Sequence, residues 1–149
     1  MNRPGARRRY GQHFLVDTGA ARRIVELVQP REGDLVLEVG PGTGALTRDL
    51  VRRFDRVVAV EIDRDLAAGL SKLEEERFAL VTEDVLQTDF ADLLRREGRR
   101  KLCVVGNLPY NITAPFLFKL RENARLVSSA VLTLQHEVAQ RLVADPGSR

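Results

Sequence analysis

Leu35-Val36-Leu37-Glu38-Val39-Gly40-Pro41-Gly42-Thr43-Gly44-Ala45 is the stretch on which the fold turns. Leu35–Val39 is a short, mostly apolar run, the pattern of a strand buried on both faces of a parallel sheet. Glycines at alternate positions follow, and they let the chain turn sharply and let a ligand lie against bare main chain. Alone the motif is only moderately specific. Gly40-x-Gly42-x-x-Ala45 also satisfies the dinucleotide-binding fingerprint, and a tight strand-to-helix turn without a ligand would use the same residues.

Outward from this turn the same alternation repeats. Strand-like runs stand at Val57–Glu61, Phe78–Thr82, Leu102–Gly106 and Ala130–Leu134. Between them, helical spacing is carried by Leu46/Leu50/Val51, Leu66/Leu70/Leu73, Phe90/Leu93/Leu94 and Ile112/Phe116/Leu117/Leu120. Ahead of the first strand, Asp17 or Thr18 caps a helix with Ala20, Ile24, Leu27 and Val28 on one face, ending near Pro30. A last helix runs from His136 to about Ala144. The expectation is an α/β fold of five parallel strands with helices on both faces, in a single domain over 17–149, preceded by a basic arm over 1–16. Sheets of this kind bind ligands beyond the carboxyl ends of their strands, so the loop after each strand is the place to look.

Composition narrows the possibilities. The chain has 149 residues and is 44% apolar, ordinary for one globular core. No run approaches the ~20 apolar residues of a membrane span and no secretory leader is legible, so a cytoplasmic protein with no membrane partner is expected. Cys103 is the only cysteine and sits in an apolar run, which rules out an internal disulfide and argues against a metal site. The net charge is +3, yet Arg3, Arg7, Arg8 and Arg9 place +4 in the first ten residues, leaving −1 for the rest. Such an arm is either a solvated terminus or a phosphate-pairing segment for RNA. A second cluster, Arg95, Arg96, Arg99, Arg100 and Lys101, reads as a solvated loop surface.

Polar residues at the strand ends suggest the chemistry. Glu61 closes the second strand, where an acid can accept both hydroxyls of a ribose. Asp63 reads as a helix cap. Asp84, after the third strand, either accepts from an adenine amine or builds a turn. Asn107-Leu108-Pro109-Tyr110 follows the fourth strand. An amino nitrogen on a nucleobase is a poor nucleophile because its lone pair is conjugated with the ring. The Asn107 side-chain oxygen and the Leu108 carbonyl, held by Pro109, can accept both amine hydrogens and favour a more tetrahedral nitrogen. Tyr110 offers a face on which an extruded base stacks, a contact worth ~1–3 kcal/mol. A plain Asn-Pro turn with a core tyrosine is the alternative.

These motifs jointly resemble the small-subunit (16S) ribosomal RNA adenine-N6,N6 dimethyltransferases of the KsgA type. The likeness runs through Tyr10–Asp17, Glu38–Thr47, Glu61–Leu66, Glu83-Asp84, Gly106–Thr113 and Leu134–Leu142, in one frame. It implies a Rossmann-like class I methyltransferase fold that uses S-adenosylmethionine and releases S-adenosylhomocysteine. It further implies that His13 and Leu15 close over the cofactor and that Gly40 and Gly42 approach its methionine part. Glu61 with Ile62 would hold the ribose, Asp84 with Val85 the adenine, and Asn107 would face both cofactor and target base. His13 departs mildly, since many relatives carry Asn there. The implied reaction is in-line methyl transfer to adenine N6, performed twice, without metal or covalent enzyme intermediate. The implied partner is small-subunit rRNA or an immature 30S subunit.

The family it resembles continues past this point with two more strands and a small helical domain. Their absence leaves Ala130–Leu134 as an open edge, through which the fragment is expected to pair or aggregate although the full-length protein would be a monomer. Methylation by the fragment is expected to be weak. Three rivals stay open. Large-subunit rRNA methyltransferases of the antibiotic-resistance type favour Ser and Ile where this chain has Gly11 and Leu108. A nicotinamide oxidoreductase would leave Asn107–Tyr110 unexplained, and an inactive RNA-binding or assembly module would keep only the fold.

Overall fold

The computed structural model describes residues 15–73 and 76–147. His13 and the arginines of the arm lie outside the described residues. In chain order the elements are α1 (Thr18–Leu27), β1 (Leu35–Val39), α2 (Thr47–Arg53), β2 (Val57–Val60), α3 (Arg64–Leu70) and β3 (Phe78–Val81), then α4 (Phe90–Glu97), β4 (Leu102–Asn107), α5 (Thr113–Glu122), β5 (Val127–Thr133) and α6 (His136–Val143). Local chemistry sets the boundaries. Asp17, not Thr18, caps α1, accepting from the amides of Gly19 and Ala20. Asp63 and Asp89 cap α3 and α4 in the same way, satisfying amides that have no partner within the helix. Gly98, at φ 63°, closes α4 in the left-handed region.

All five strands run parallel in the order β3-β2-β1-β4-β5. The chain winds outward from β1 to β3, then crosses back so that β4 lies beside β1. That reversal creates a crevice at the carboxyl end of the sheet, between the loops after β1 and β4. β1 and β2 are buried at every position, as a parallel sheet covered on both faces requires. Phe90, Leu93 and Leu94 of α4 with Phe116 of α5 pack on one face against Leu35, Leu37, Val58 and Val104. Ala21, Ile24 and Val25 of α1 with Leu50 of α2 pack on the other against Val36, Val57, Ala59 and Val105.

Two sequence expectations need correction. β5 begins at Val127, three residues before the expected start, because polar side chains there conceal the strand pattern. Ser128 Oγ donates to Asp34 (2.6 Å) and Ser129 Oγ meets Cys103 Sγ at 3.1 Å, so both serines are tied to the neighbouring part of the sheet, at the start of β1 and in β4. The second basic cluster is largely exposed, as expected, but it is not all loop. Arg95 and Arg96 belong to α4 and both pair with Asp92, and Arg99 pairs with Asp55 at 2.9 Å. Among the described residues no helix is long and apolar enough to cross a membrane.

Candidate functional site

A cavity of about 210 Å³ opens at the carboxyl end of the sheet. It is walled by Glu38–Thr43 after β1, Glu61 and Ile62 after β2, Glu83–Val85 after β3, and Asn107, Pro109, Asn111 and Ile112 after β4, with Leu15 leaning in from the approach to α1. Four loops distant in sequence therefore converge on one cleft. The turn after β1 and the turn after β4 face each other closely: a Cβ built on Gly40 would stand 3.9 Å from Pro109 Cδ.

The cradle after β1 depends on backbone conformations that side chains resist. Gly40, Gly42 and Gly44 adopt φ of 63°, 58° and 86°. At Gly44 a Cβ would also fall 2.8 Å from Leu70 Cδ2. Gly106, in β4, is needed for another reason, since a Cβ there would lie 2.8 Å from the Val39 carbonyl oxygen. The absence of side chains thus lets β1 and β4 approach under the cleft.

Carboxylates line the floor. Glu61 is 2% exposed and accepts from the Gly42 amide on one oxygen and the Asp63 amide on the other, both at 3.0 Å. It therefore ties the cradle to the end of β2 while lining the cavity. Burial pushes its pKa up against these amide bonds. Glu38 is 1% exposed and accepts from Thr47 Oγ1 at 2.7 Å. Burial raises its pKa to about 8, the Thr47 bond opposing this and the neighbouring Glu61 adding to it. Asp84 builds the turn, its Oδ1 accepting from the Leu86 amide at 2.9 Å, and the same residue borders the cleft.

The Asn107 turn is split by burial. Asn107 and Pro109 reach the cleft, whereas the Leu108 side chain is buried in the core beside Phe116, leaving only its main chain for chemistry. Tyr110 is 46% exposed and is not part of the cleft wall. The ring on which a base was expected to stack therefore lies outside the cavity wall. The Asn107 side-chain oxygen accepts a hydrogen bond from Thr133 Oγ1 at the tip of β5.

Of the residues singled out from sequence, Leu15, Gly40, Gly42, Glu61, Ile62, Asp84, Val85, Asn107 and Pro109 come together around one cavity. Three contributors were missed. Glu38 was readable as an acid inside an apolar strand, the pattern of a buried functional carboxylate. Lys119 and Thr133 carried no such signal. Lys119 Nζ donates to the carbonyls of Leu86 (3.0 Å) and Thr88 (2.6 Å) and lies 4.8 Å over the Phe90 ring, fastening α5 to the loop that presents Asp84. Burial lowers its pKa.

The strand order and the position of the cleft are those of the Rossmann-like fold of class I S-adenosylmethionine-dependent methyltransferases, and solved structures agree. A dimethyladenosine transferase from Plasmodium falciparum superposes with a TM-score of 0.75 at 28% identity, over 91% of this chain and 48% of that one. The 23S rRNA methyltransferase ErmE superposes at 0.73 with 32% identity, over 86% and 50%. More narrowly, the chain belongs to the ribosomal RNA adenine dimethylase family, whose model matches residues 4–149. It is 48% identical over 149 residues to the ribosomal RNA small subunit methyltransferase A of Bordetella pertussis, covering 99% of this chain and 54% of the relative. The protein of that name from Leptothrix cholodnii is 46% identical over 143 residues, covering 96% and 52%. The chain thus spans about half the length of the curated relatives it matches.

Proposed function

We propose that this chain is the S-adenosylmethionine-binding catalytic domain of an rRNA adenine-N6 dimethyltransferase acting on small-subunit rRNA in the cytoplasm. The observation that carries the reading is the closure of the glycine cradle and the Asn107–Pro109 turn over one cavity, with 3.9 Å between Pro109 Cδ and the Cβ position of Gly40. S-adenosylmethionine, when bound, supplies an electrophilic methyl group on a sulfonium sulfur.

The residues present fit that ligand. Gly40 and Gly42 leave main chain bare along one wall, and Ile62 and Val85 supply apolar surface beside the Glu61 and Asp84 carboxylates. Those two acids sit where ribose hydroxyls and an adenine amine can donate to them. The carboxyl groups of Glu38, Glu61 and Asp84 line the cavity, and in their ionised form they favour a cation within it. His13 and Leu15 would close the cavity from the amino-terminal side.

For the target base, Asn107 and the Leu108 carbonyl accept the two amine hydrogens, holding the nitrogen lone pair toward the cradle. Tyr110, half-exposed beyond the cavity mouth, suits a base that arrives from solvent and stacks before it enters. Alignment of two reactants removes ~7–11 kcal/mol from such a barrier, so no side chain here needs to act as a nucleophile. Arg3, Arg7, Arg8 and Arg9 would pair with phosphates of the small-subunit rRNA or of an immature 30S particle. β5 is an outer strand of the sheet, and with its far edge open the chain would self-associate through it. Light scattering on concentrated protein checks this, a clean monomer being the contrary result.

The test is Asn107→Ala. S-adenosylhomocysteine binding by calorimetry should stay within severalfold of native. Tritiated methyl incorporation into immature small subunits should fall by ~10²–10³, measured in a form extended to the relatives' length. A native-like rate in that variant, or a native protein that binds NAD and ignores S-adenosylhomocysteine, would falsify the proposal.

A further inference from the structure

We propose that Thr133 is a positioning residue for methyl transfer, holding the Asn107 amide so that its side-chain oxygen keeps one lone pair directed at the target amine. This rests on the catalytic reading above and names a residue outside the cavity wall. Asn107 and Thr133 are the last paired positions of β4 and β5. They stand on the same sheet face as the pairs Cys103/Ser129 and Val105/Val131. Two of these three rungs carry a side-chain hydrogen bond, Cys103 Sγ to Ser129 Oγ and Thr133 Oγ1 to Asn107 Oδ1, with an apolar rung between them. The terminal rung is the one that opens into the cleft, through Asn107.

The chemistry of this contact is specific. An amide oxygen only accepts, so Thr133 donates, and an sp² oxygen presents two lone pairs roughly in the amide plane. With one lone pair engaged from the β5 side, rotation about the last side-chain bond of Asn107 is restrained and the second lone pair has a defined direction. Threonine suits the task because branching at Cβ restricts its first side-chain torsion, as β-strand packing does again. A valine at this position would keep the shape and the strand preference but remove the donor. Asn107 would then lose the hold on its side-chain oxygen from the β5 side, and the near-attack geometry of the amine would be populated less often.

The discriminating variants are Thr133→Val and Thr133→Ser. The chain holds four asparagines, at 2, 107, 111 and 123, so the side-chain amide spectrum of ¹⁵N-asparagine protein is simple, and Asn107→Ala identifies the pair belonging to Asn107. The Asn107 pair should be sharp in native and T133S protein and shifted and broadened in T133V. Single-turnover methyl transfer should fall roughly tenfold in T133V, about the effect of one hydrogen bond, with RNA KM and S-adenosylhomocysteine affinity within about twofold of native. T133S should recover most of the rate. The idea is overturned by an Asn107 pair unchanged in T133V, by T133S being as impaired as T133V, or by T133V transferring methyl as fast as native or faster. A form extended to the relatives' length that methylates no RNA would instead sink the functional reading, while the amide spectra still decide the anchoring.

Discussion

At the amino end of the sheet, charged groups neutralise one another. Arg56, at the entry to β2, grips Glu97 at the end of α4 through Nε at 2.6 Å and Nη2 at 2.9 Å. Arg99 holds Asp55, and Asp34 accepts from the Arg31 amide and the Ser128 hydroxyl. At the carboxyl end, among the described residues, no lysine or arginine forms an ion pair with Glu38, Glu61, Asp63 or Asp84. These acids rest on backbone amides and a threonine hydroxyl, and among the described residues Asp63 Oδ2 is buried without a hydrogen-bond partner. The comparison teaches that one end of the sheet is arranged for stability and the other stays electrostatically incomplete until a ligand arrives, as expected where function has precedence over stability.

Substitutions at the two ends should therefore separate binding from folding. The largest effect is expected from Glu61→Ala, which releases the Gly42 amide and a ligand contact together. S-adenosylhomocysteine affinity should fall by ~100-fold in calorimetry, the range for losing hydrogen bonds to a charged group. Next, Gly106→Ala forces a methyl group against the Val39 carbonyl and should lower unfolding free energy in urea by about 2 kcal/mol, the usual scale of overpacking. At the opposite end, Arg56→Met leaves Glu97 partly buried and unpaired. Stability should drop by about 1–2 kcal/mol, less in high salt, with ligand affinity unchanged. If R56M weakened binding as much as E61A, the contrast between the two ends would collapse.

Glu38 gives an effect with a defined sign. Its pKa rises from 4.5 to about 8 on folding, so the folded state prefers the protonated form. That contribution is complete below pH 4.5 and is lost as pH climbs toward 8. The native melting temperature should accordingly decline across that window relative to Glu38→Gln. The same ionisation strengthens the anionic floor, so the preference for cationic S-adenosylmethionine over neutral S-adenosylhomocysteine should grow from pH 7 to 8.5 in native protein and stay flat in E38Q. Smallest of all, Arg95→Ala removes an exposed partner of Asp92 and should change stability by less than about 0.5 kcal/mol.

Much of the site was legible before any coordinates, for an identifiable reason. Alternating glycines, an acid closing each of two apolar strands and an Asn-Leu-Pro-Tyr turn are local signals, each tied to a backbone conformation or a donor-acceptor pattern within a few residues. Tyr110 and Leu108 show the limit. Both lie in the same tetrapeptide, yet one is half exposed and the other buried in the core, which depends on the helices packed around them. Ser128 and Ser129 show it from the other side, since their strand character follows from partners 94 and 26 positions away in the chain.

By itself, then, the sequence determined the kind of fold, the family likeness and which loops hold the chemistry, because periodicity, capping and glycine conformation are encoded between near neighbours. Tertiary structure alone decided that β4 returns beside β1, bringing Pro109 against the glycine cradle. It likewise decided that Thr133 reaches Asn107 and that Lys119 locks the loop of Asp84. Those contacts join residues far apart along the chain, and only the closing of the sheet makes them neighbours.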